Sequence, residues 1–230
     1  MELVFARSLF VQPVTDLLRE LGRIGFFSHG LLVGSWPMVV YTEHFTLPYG
    51  MTTDDIDFAV ANVIKVPPKP GETIPRILER LGYTPIRDYS LGIETFLQGT
   101  FEVEFITHRR GADAPPSIII PPWQVSAQPL PFIDLLFIRP TTVVMGDIRF
   151  CIPSPEALLL HKLIIAQRRT GFDKEAKKEK DLQQCTALVQ VARTEEIHRI
   201  IGEYRLSKDT RKSMQLSCSE GGLTLPGWHE

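Results

Sequence analysis

Thr52-Thr53-Asp54-Asp55-Ile56-Asp57-Phe58 is the stretch that decides how the chain reads. Asp55 and Asp57 are two residues apart, and an apolar residue, Ile56 or Phe58, follows each. In an extended strand alternate side chains share a face, so both carboxylates point one way while Ile56 and Phe58 point into a core. Two same-facing carboxylates repel each other unless a cation stands between them. A hard divalent ion such as Mg2+ suits that place, held by carboxylate oxygens at roughly 2 Å and completed by water and phosphate oxygens.

Upstream, Phe26 to Val33 reads as a buried strand that stops at Gly34-Ser35. A tight turn there leads into a helix over Trp36 to Phe45, with Pro37 tolerated in its first turn. Such a turn offers backbone N–H groups to an anion. A phosphate cradle followed by a metal-binding Asp pair points to nucleotide chemistry. Before it, apolar residues at Val14, Leu17, Leu18 and Leu21 predict a one-faced helix.

Downstream, Pro67-Pro68-Lys69-Pro70 reads as a stiff connector and Thr73 to Leu81 as a short helix ending at Gly82. Ile93 to Leu97 and Phe101 to Thr107 form a predicted hairpin, in which Glu102 and Glu104 share a face. A loop over Arg109 to Pro122 follows. Ile133 to Ile138 and a hairpin around Gly146-Asp147 continue the β-rich part. At Pro153-Ser154-Pro155-Glu156 the pattern turns helical, with Ser154 as a cap and Pro155 in the first turn. Helices are expected over 155–170, about 173–191 and Thr194 to Tyr204, with a weakly patterned tail after Lys208. The boundary therefore falls between a sheet-containing part, residues 1–152, and a helical part, residues 153–230.

The formal net charge of −2 gives no global basic field of the kind that announces a nucleic-acid binder. Cys151, Cys185 and Cys218 are odd in number and far apart, without a CxxC pair, so they read as reduced thiols of a cytoplasmic protein. No signal peptide or membrane span is expected. His29, His44, His108 and His161 lack metal-ligand spacing. Lys162 lies within an apolar helical stripe, where a basic side chain needs a partner or a route to solvent. The basic residues over 168–180, interleaved with Asp173, Glu175 and Glu179, read as a solvated face with i,i+4 pairs.

Gly34-Ser35, a helix, Asp55-Ile56-Asp57 on a strand and a carboxylate on a later strand resemble the polymerase-β-type nucleotidyltransferase superfamily. Pro153-Ser154-Pro155-Glu156-Ala157, His161-Lys162-Leu163 and Lys180-Asp181-Leu182 are similar to the bacterial subgroup that includes toxins of abortive-infection systems. The resemblance covers roughly residues 25–190. It implies a mixed-sheet α/β (α+β) nucleotidyltransferase core with a C-terminal helical region. It also implies two Mg2+ ions held by Asp55, Asp57 and Glu104, and a nucleoside triphosphate substrate whose phosphates meet Gly34, Ser35, Lys162 and Lys180. The expected acceptor is a hydroxyl on RNA, protein or a small molecule, and an antitoxin is an expected partner. The gap between Gly-Ser and the Asp pair is lengthened by Tyr41 to Tyr49. The third acid is Glu where Asp is commoner, which motivates a second reading: a catalytically inactive protein of the same fold that binds RNA or a protein partner.

Overall fold

The computed structural model describes residues 1–50, 53–62, 64 and 71–225. The proline connector expected at Pro67–Pro70 lies outside the described residues. The architecture is mixed α/β, with mixed sheets and a C-terminal helical region. Two compact units divide the chain. The first holds Met1–Val40, Met51–Asp134 and Pro140–Pro153, and the second holds Tyr41–Gly50, Leu135–Arg139 and Ser154–Glu230.

The first unit is built on a sheet in the order β2-β3-β6-β5-β4. Its strands are β2 (Gly30–Leu32), β3 (Asp55–Val60), β4 (Thr84–Asp88), β5 (Ile93–Gln98) and β6 (Phe101–His108). β3 and β6 run parallel, and β2 pairs antiparallel with β3. β7 (Ile118–Ile120) and β8 (Val125–Leu130) extend the sheet, with β8 parallel to the end of β6. A second, three-stranded sheet joins β1 (Glu2–Phe5), β9 (Thr141–Met145) and β10 (Ile148–Ile152). α1 (Val14–Arg23) buries Val14, Leu17, Leu18 and Leu21, the stripe its spacing predicts. α3 (Ile74–Arg80) follows Thr73 and buries Ile74, Ile77 and Leu78.

Ile56, Phe58, Val103 and Phe105 are buried, and the Phe58 and Phe105 rings stack with centroids 5.5 Å apart. Phe26 sits edge-on to Phe58, Phe105 and Trp123 at 5.3–6.0 Å. A Cβ at Gly30 would collide with the Phe26 ring, so only glycine lets that ring pack so closely. This packing corrects the expected strand over Phe26 to Val33. Gly25 takes φ +73°, Phe26–Ser28 curl into a 3-10 turn, and only Gly30–Leu32 pair in the sheet. Ile133–Phe137 likewise form a 3-10 turn where extended structure was expected. Four strands escaped the sequence reading: β1, β7 inside the loop expected over Arg109 to Pro122, and β4 and β8, which prolines interrupt at Pro85 and Pro129.

α2 (Trp36–Phe45) matches its expected span and contributes residues to both units. The rest of the second unit is mainly α4 (Pro155–Ala166), α5 (Lys174–Leu188), α6 (Thr194–Tyr204) and α7 (Lys208–Glu220). Ser154 caps α4 by accepting the N–H of Ala157 at 3.2 Å, with Pro155 in the first turn. Glu156, 2% exposed, accepts the backbone N–H of Arg193 at 3.0 Å and its Nε at 3.2 Å, tying the start of α6 to α4. The tail after Lys208, expected to be weakly patterned, forms a regular helix, α7. Ser207 caps it through the N–H of Thr210, and Met214 and Ser217 are buried, with Ser217 donating to the Leu163 carbonyl at 2.7 Å.

Ser154→Ala removes one side-chain acceptor from the start of α4, and the expected loss is about 1 kcal/mol. Urea unfolding followed by helical circular dichroism checks it.

Candidate active site

The parallel register of β3 and β6 places Asp55 beside Glu102 and Asp57 beside Glu104. Paired residues of adjacent strands share a face, as do alternate residues along each strand, so the four carboxylates form one acidic face. The core residues Ile56, Phe58, Val103 and Phe105 occupy the other. Of the four acids, Asp55 is exposed, while Asp57, Glu102 and Glu104 are half-buried. Among the described residues no ion pair neutralises Asp55 or Glu102. The face thus gathers acidic side chains at adjacent-strand spacing, about 5 Å between backbones, and a cation bound there would lower the repulsion between them.

The glycine turn lies against this face. β2 ends at Leu32, and the next N–H, from Val33, donates to the Asp57 carbonyl at 2.8 Å. Gly34 follows with φ +66°, its α-carbon so close to Asp57 that an added Cβ would collide with the carboxylate. Ser35 is buried, and its carbonyl accepts the Met38 N–H at 3.0 Å at the start of α2. The Trp36 indole, 6% exposed, donates from Nε1 to the Asp55 carbonyl at 2.7 Å. Glu102 donates its backbone N–H to the Asp54 carbonyl at 3.0 Å. Gly34, Ser35, Asp55, Asp57 and Glu104, five residues singled out in the sequence, are therefore brought together in the first unit. Two contacts at this site escaped the sequence reading, the Val33 and Trp36 donations. An indole N–H in an apolar helix start needs a partner, and that was the available signal for Trp36.

Among the described residues, no three Asp, Glu, His or Cys side chains already enclose a point where an ion could sit. The donor chemistry fits a hard divalent ion all the same. It consists of carboxylate oxygens on one strand face, with waters and substrate phosphates left to complete the shell.

Lys162 and Lys180 belong to the second unit. Lys162 Nζ donates to Asp181 Oδ1 at 3.0 Å, and Arg169 Nε donates to Asp181 Oδ2 at 2.7 Å. Lys162 and Asp181 are 4% and 2% exposed. The Lys162-Leu163 and Lys180-Asp181 elements of the sequence are thus joined by a buried ion pair, and contact of Lys162 with phosphate requires exchange of that partner. Lys180 is half-buried and forms no ion pair among the described residues.

The basic stretch over 168–180 is largely compensated. Lys177 pairs with Asp173 at 2.8 Å, Lys178 with Glu220 at 2.8 Å, and Arg169 with Asp181. The aromatic insertion folds onto its own unit. Tyr41 is fully buried, and the Tyr49 hydroxyl accepts from Gln184 Nε2 at 2.8 Å. Beside the ion pair, burial pushes the His161 imidazole down to about 3, with the Lys162 charge adding to the effect.

The site is a carboxylate face on two parallel strands with a glycine turn and a helix start beside it, a class of architecture suited to nucleotide phosphates and divalent ions. A family model for nucleotidyltransferases matches residues 12–207. The chain belongs to the nucleotidyltransferase family. No curated protein matches the sequence. Among solved structures the chain is similar to an antigenic nucleotidyltransferase-like protein from Paracoccidioides brasiliensis, with 13% identity, 88% of this chain and 90% of that chain covered, and a TM-score of 0.47. It is also similar to the antibiotic-resistance factor ANT(2'')-Ia, with 12% identity, 90% of this chain and 95% of that chain covered, and a TM-score of 0.43. No helix among the described residues is long and apolar enough to cross a membrane.

Two outcomes test this geometry. Gly25 takes φ +73° in open space, whereas Gly34 takes φ +66° against Asp57. Gly25→Ala therefore costs about 1–2 kcal/mol for the left-handed backbone, and Gly34→Ala costs a further ~1–3 kcal/mol for the collision. Thermal unfolding of the two variants side by side reads the difference. The second outcome concerns acid. His161 stays neutral in the fold while the unfolded chain takes up a proton below about pH 6.5. Its contribution is intact above that pH and is lost as pH falls toward about 3, by up to about 1.4 kcal/mol per pH unit. Urea midpoints at about pH 7.5 and about pH 5 should diverge less in His161→Leu than in the unaltered protein.

Proposed function

We propose that this protein transfers a nucleoside monophosphate from a nucleoside triphosphate to a hydroxyl of an acceptor, releasing pyrophosphate. The observation that carries the reading is the register that sets Glu104 beside Asp57, with Gly34 packed against the same aspartate. Three acids and a phosphate turn, separated widely in the sequence, converge on one strand face.

In this reading Asp55, Asp57 and Glu104 hold divalent ions, and Glu104 serves as the third acid despite its extra methylene. Its longer side chain rises from a strand position directly beside Asp57, so its carboxylate can bend toward the ions that Asp57 holds. Bound there, two Mg2+ ions would supply positive charge for the attacking and leaving oxygens of an in-line displacement. The protein's own contribution is positional. Gly34 admits phosphate close to the backbone, and the Ser35 hydroxyl and N–H orient its oxygens. Lys180, and Lys162 on exchanging Asp181 for phosphate, balance triphosphate charge. The acceptor oxygen forms a bond to the α-phosphorus and the bond from that phosphorus to the bridging oxygen breaks. The hydroxyl proton passes to solvent, and the electron pair leaves with pyrophosphate.

The acceptor class stays at the level of a hydroxyl on RNA, protein or a small molecule, because the fold serves many acceptors. A place in the abortive-infection toxin subgroup, with an antitoxin as partner, is supported by the Pro153–Ala157, Lys162-Leu163 and Lys180-Asp181 elements of the sequence.

Asp55→Asn and Asp57→Asn should each reduce Mg2+-dependent nucleoside triphosphate consumption by about a hundredfold or more, with unchanged circular dichroism. Titration calorimetry with Mg2+ and a non-hydrolysable triphosphate supplies the decisive check. Absence of binding to the unaltered protein defeats the reading.

A further inference from the structure

Trp36 is the third residue of the turn that begins at Gly34, and its contacts set it apart from an ordinary core aromatic. Its ring is buried edge-on against Phe10, with centroids 5.3 Å apart at 84°, and stands 6.5 Å from Phe101. Phe101 immediately precedes Glu102 on β6. Packing alone would be served by any large apolar ring. The indole does one thing a phenyl ring does not: its Nε1 donates to the Asp55 carbonyl at 2.7 Å. Asp55 is the first residue of β3 and is exposed, and the indole adds a second hold on that strand end, on the side opposite the Glu102 N–H bond to the Asp54 carbonyl.

We propose that Trp36 is a positioning residue for Asp55 and that it locks the phosphate turn and the acidic strand into one rigid piece. The proposal rests on the reading of Asp55 as an ion ligand. The strand is gripped at two points by a four-residue stretch. The Val33 N–H holds the Asp57 carbonyl at 2.8 Å, and the Trp36 indole holds the Asp55 carbonyl two residues earlier. Between these bonds Gly34 touches the Asp57 side chain. With both peptides fixed, the carboxylates of Asp55 and Asp57 keep a set separation. That separation matters because a metal site tolerates errors of only about 0.5 Å. The same bonds make the position of Gly34 and Ser35 depend on the position of the aspartates. A phosphate seated in the turn and an ion seated on the acids therefore share one frame.

The test uses the full-length protein with two replacements at the same position. Trp36→Phe keeps an aromatic ring, and 3-benzothienylalanine at this position keeps the full bicyclic shape while removing only the N–H donor. The probe is Mn2+, titrated into protein alone by calorimetry and then together with ATP. Losing one buried hydrogen bond should weaken Mn2+ binding by about three- to tenfold. It should lower kcat for Mg2+-dependent pyrophosphate release by a similar factor, with KM for ATP within about twofold. The benzothienyl variant, which keeps the ring packing, should melt lower by no more than the loss of one buried hydrogen bond accounts for. Wild-type Mn2+ affinity and kcat in both variants, with at most a lower melting temperature, would reduce Trp36 to packing and overturn the proposal. An unaltered protein that binds no Mn2+ with or without ATP defeats the assignment of Asp55 as a ligand, and the positioning role falls with it.

Discussion

The bond from the Val33 N–H to the Asp57 carbonyl governs how the first unit is assembled. It is made one residue past the end of β2 and so extends the pairing of β2 with β3 to the brink of the turn. On its far side β3 is paired in parallel with β6, which fixes which carboxylates are neighbours. A slip of one residue in either pairing would turn the acids toward Phe26 and Trp123 and expose Phe58 and Phe105. The hydrophobic contacts of those rings therefore enforce the register, and the register places the acids. Stability and site geometry are two consequences of the same alignment.

Much of this was legible in the sequence because alternation is a strong signal. Asp55-Ile56-Asp57-Phe58 and Glu102-Val103-Glu104-Phe105 each announce a strand with one polar and one buried face. The relation between them came only through the family resemblance, since parallel neighbours are joined through long connections and local pattern carries no register. Trp36 was visible as a residue but its acceptor was not, because that acceptor lies on a strand 19 residues further along the chain. The failures have physical causes too. Phe26 to Val33 is apolar enough for a strand, yet the Phe26 ring needs the space that Gly30 leaves open, and that packing curls the backbone. The tail from Lys208 reads as weakly patterned because α7 buries few residues, among them Met214 and a serine that bonds to a carbonyl of α4.

The second unit is organised around charge where the first is organised around aromatic packing. Asp181 accepts from Lys162 and Arg169 at once, which satisfies both oxygens of a carboxylate almost wholly removed from water. A buried acid with one partner would be a liability; with two it fixes the approach of α5 to α4. Gln184, one turn further along α5, holds Tyr49. Glu156 does the equivalent work at the start of α6. The lysine-rich stretch, read from the sequence as a solvated face with i,i+4 pairs, is largely exposed with Lys177 paired to Asp173, while Lys178 ties α5 to Glu220 of α7.

Residues 41–50 group with the helices although they lie between the glycine turn and Asp55 in the chain. The covalent thread changes unit five times, at 40/41, 50/51, 134/135, 139/140 and 153/154. Neither unit is therefore a segment that could be cut out and transplanted. A chain beginning at residue 153 would leave behind Tyr49, the partner of Gln184. A chain ending there would carry residues 41–50 without the helices they fold against. Such interlacing makes the two units a single heritable object, whose parts can change sequence but not be exchanged by joining fragments end to end.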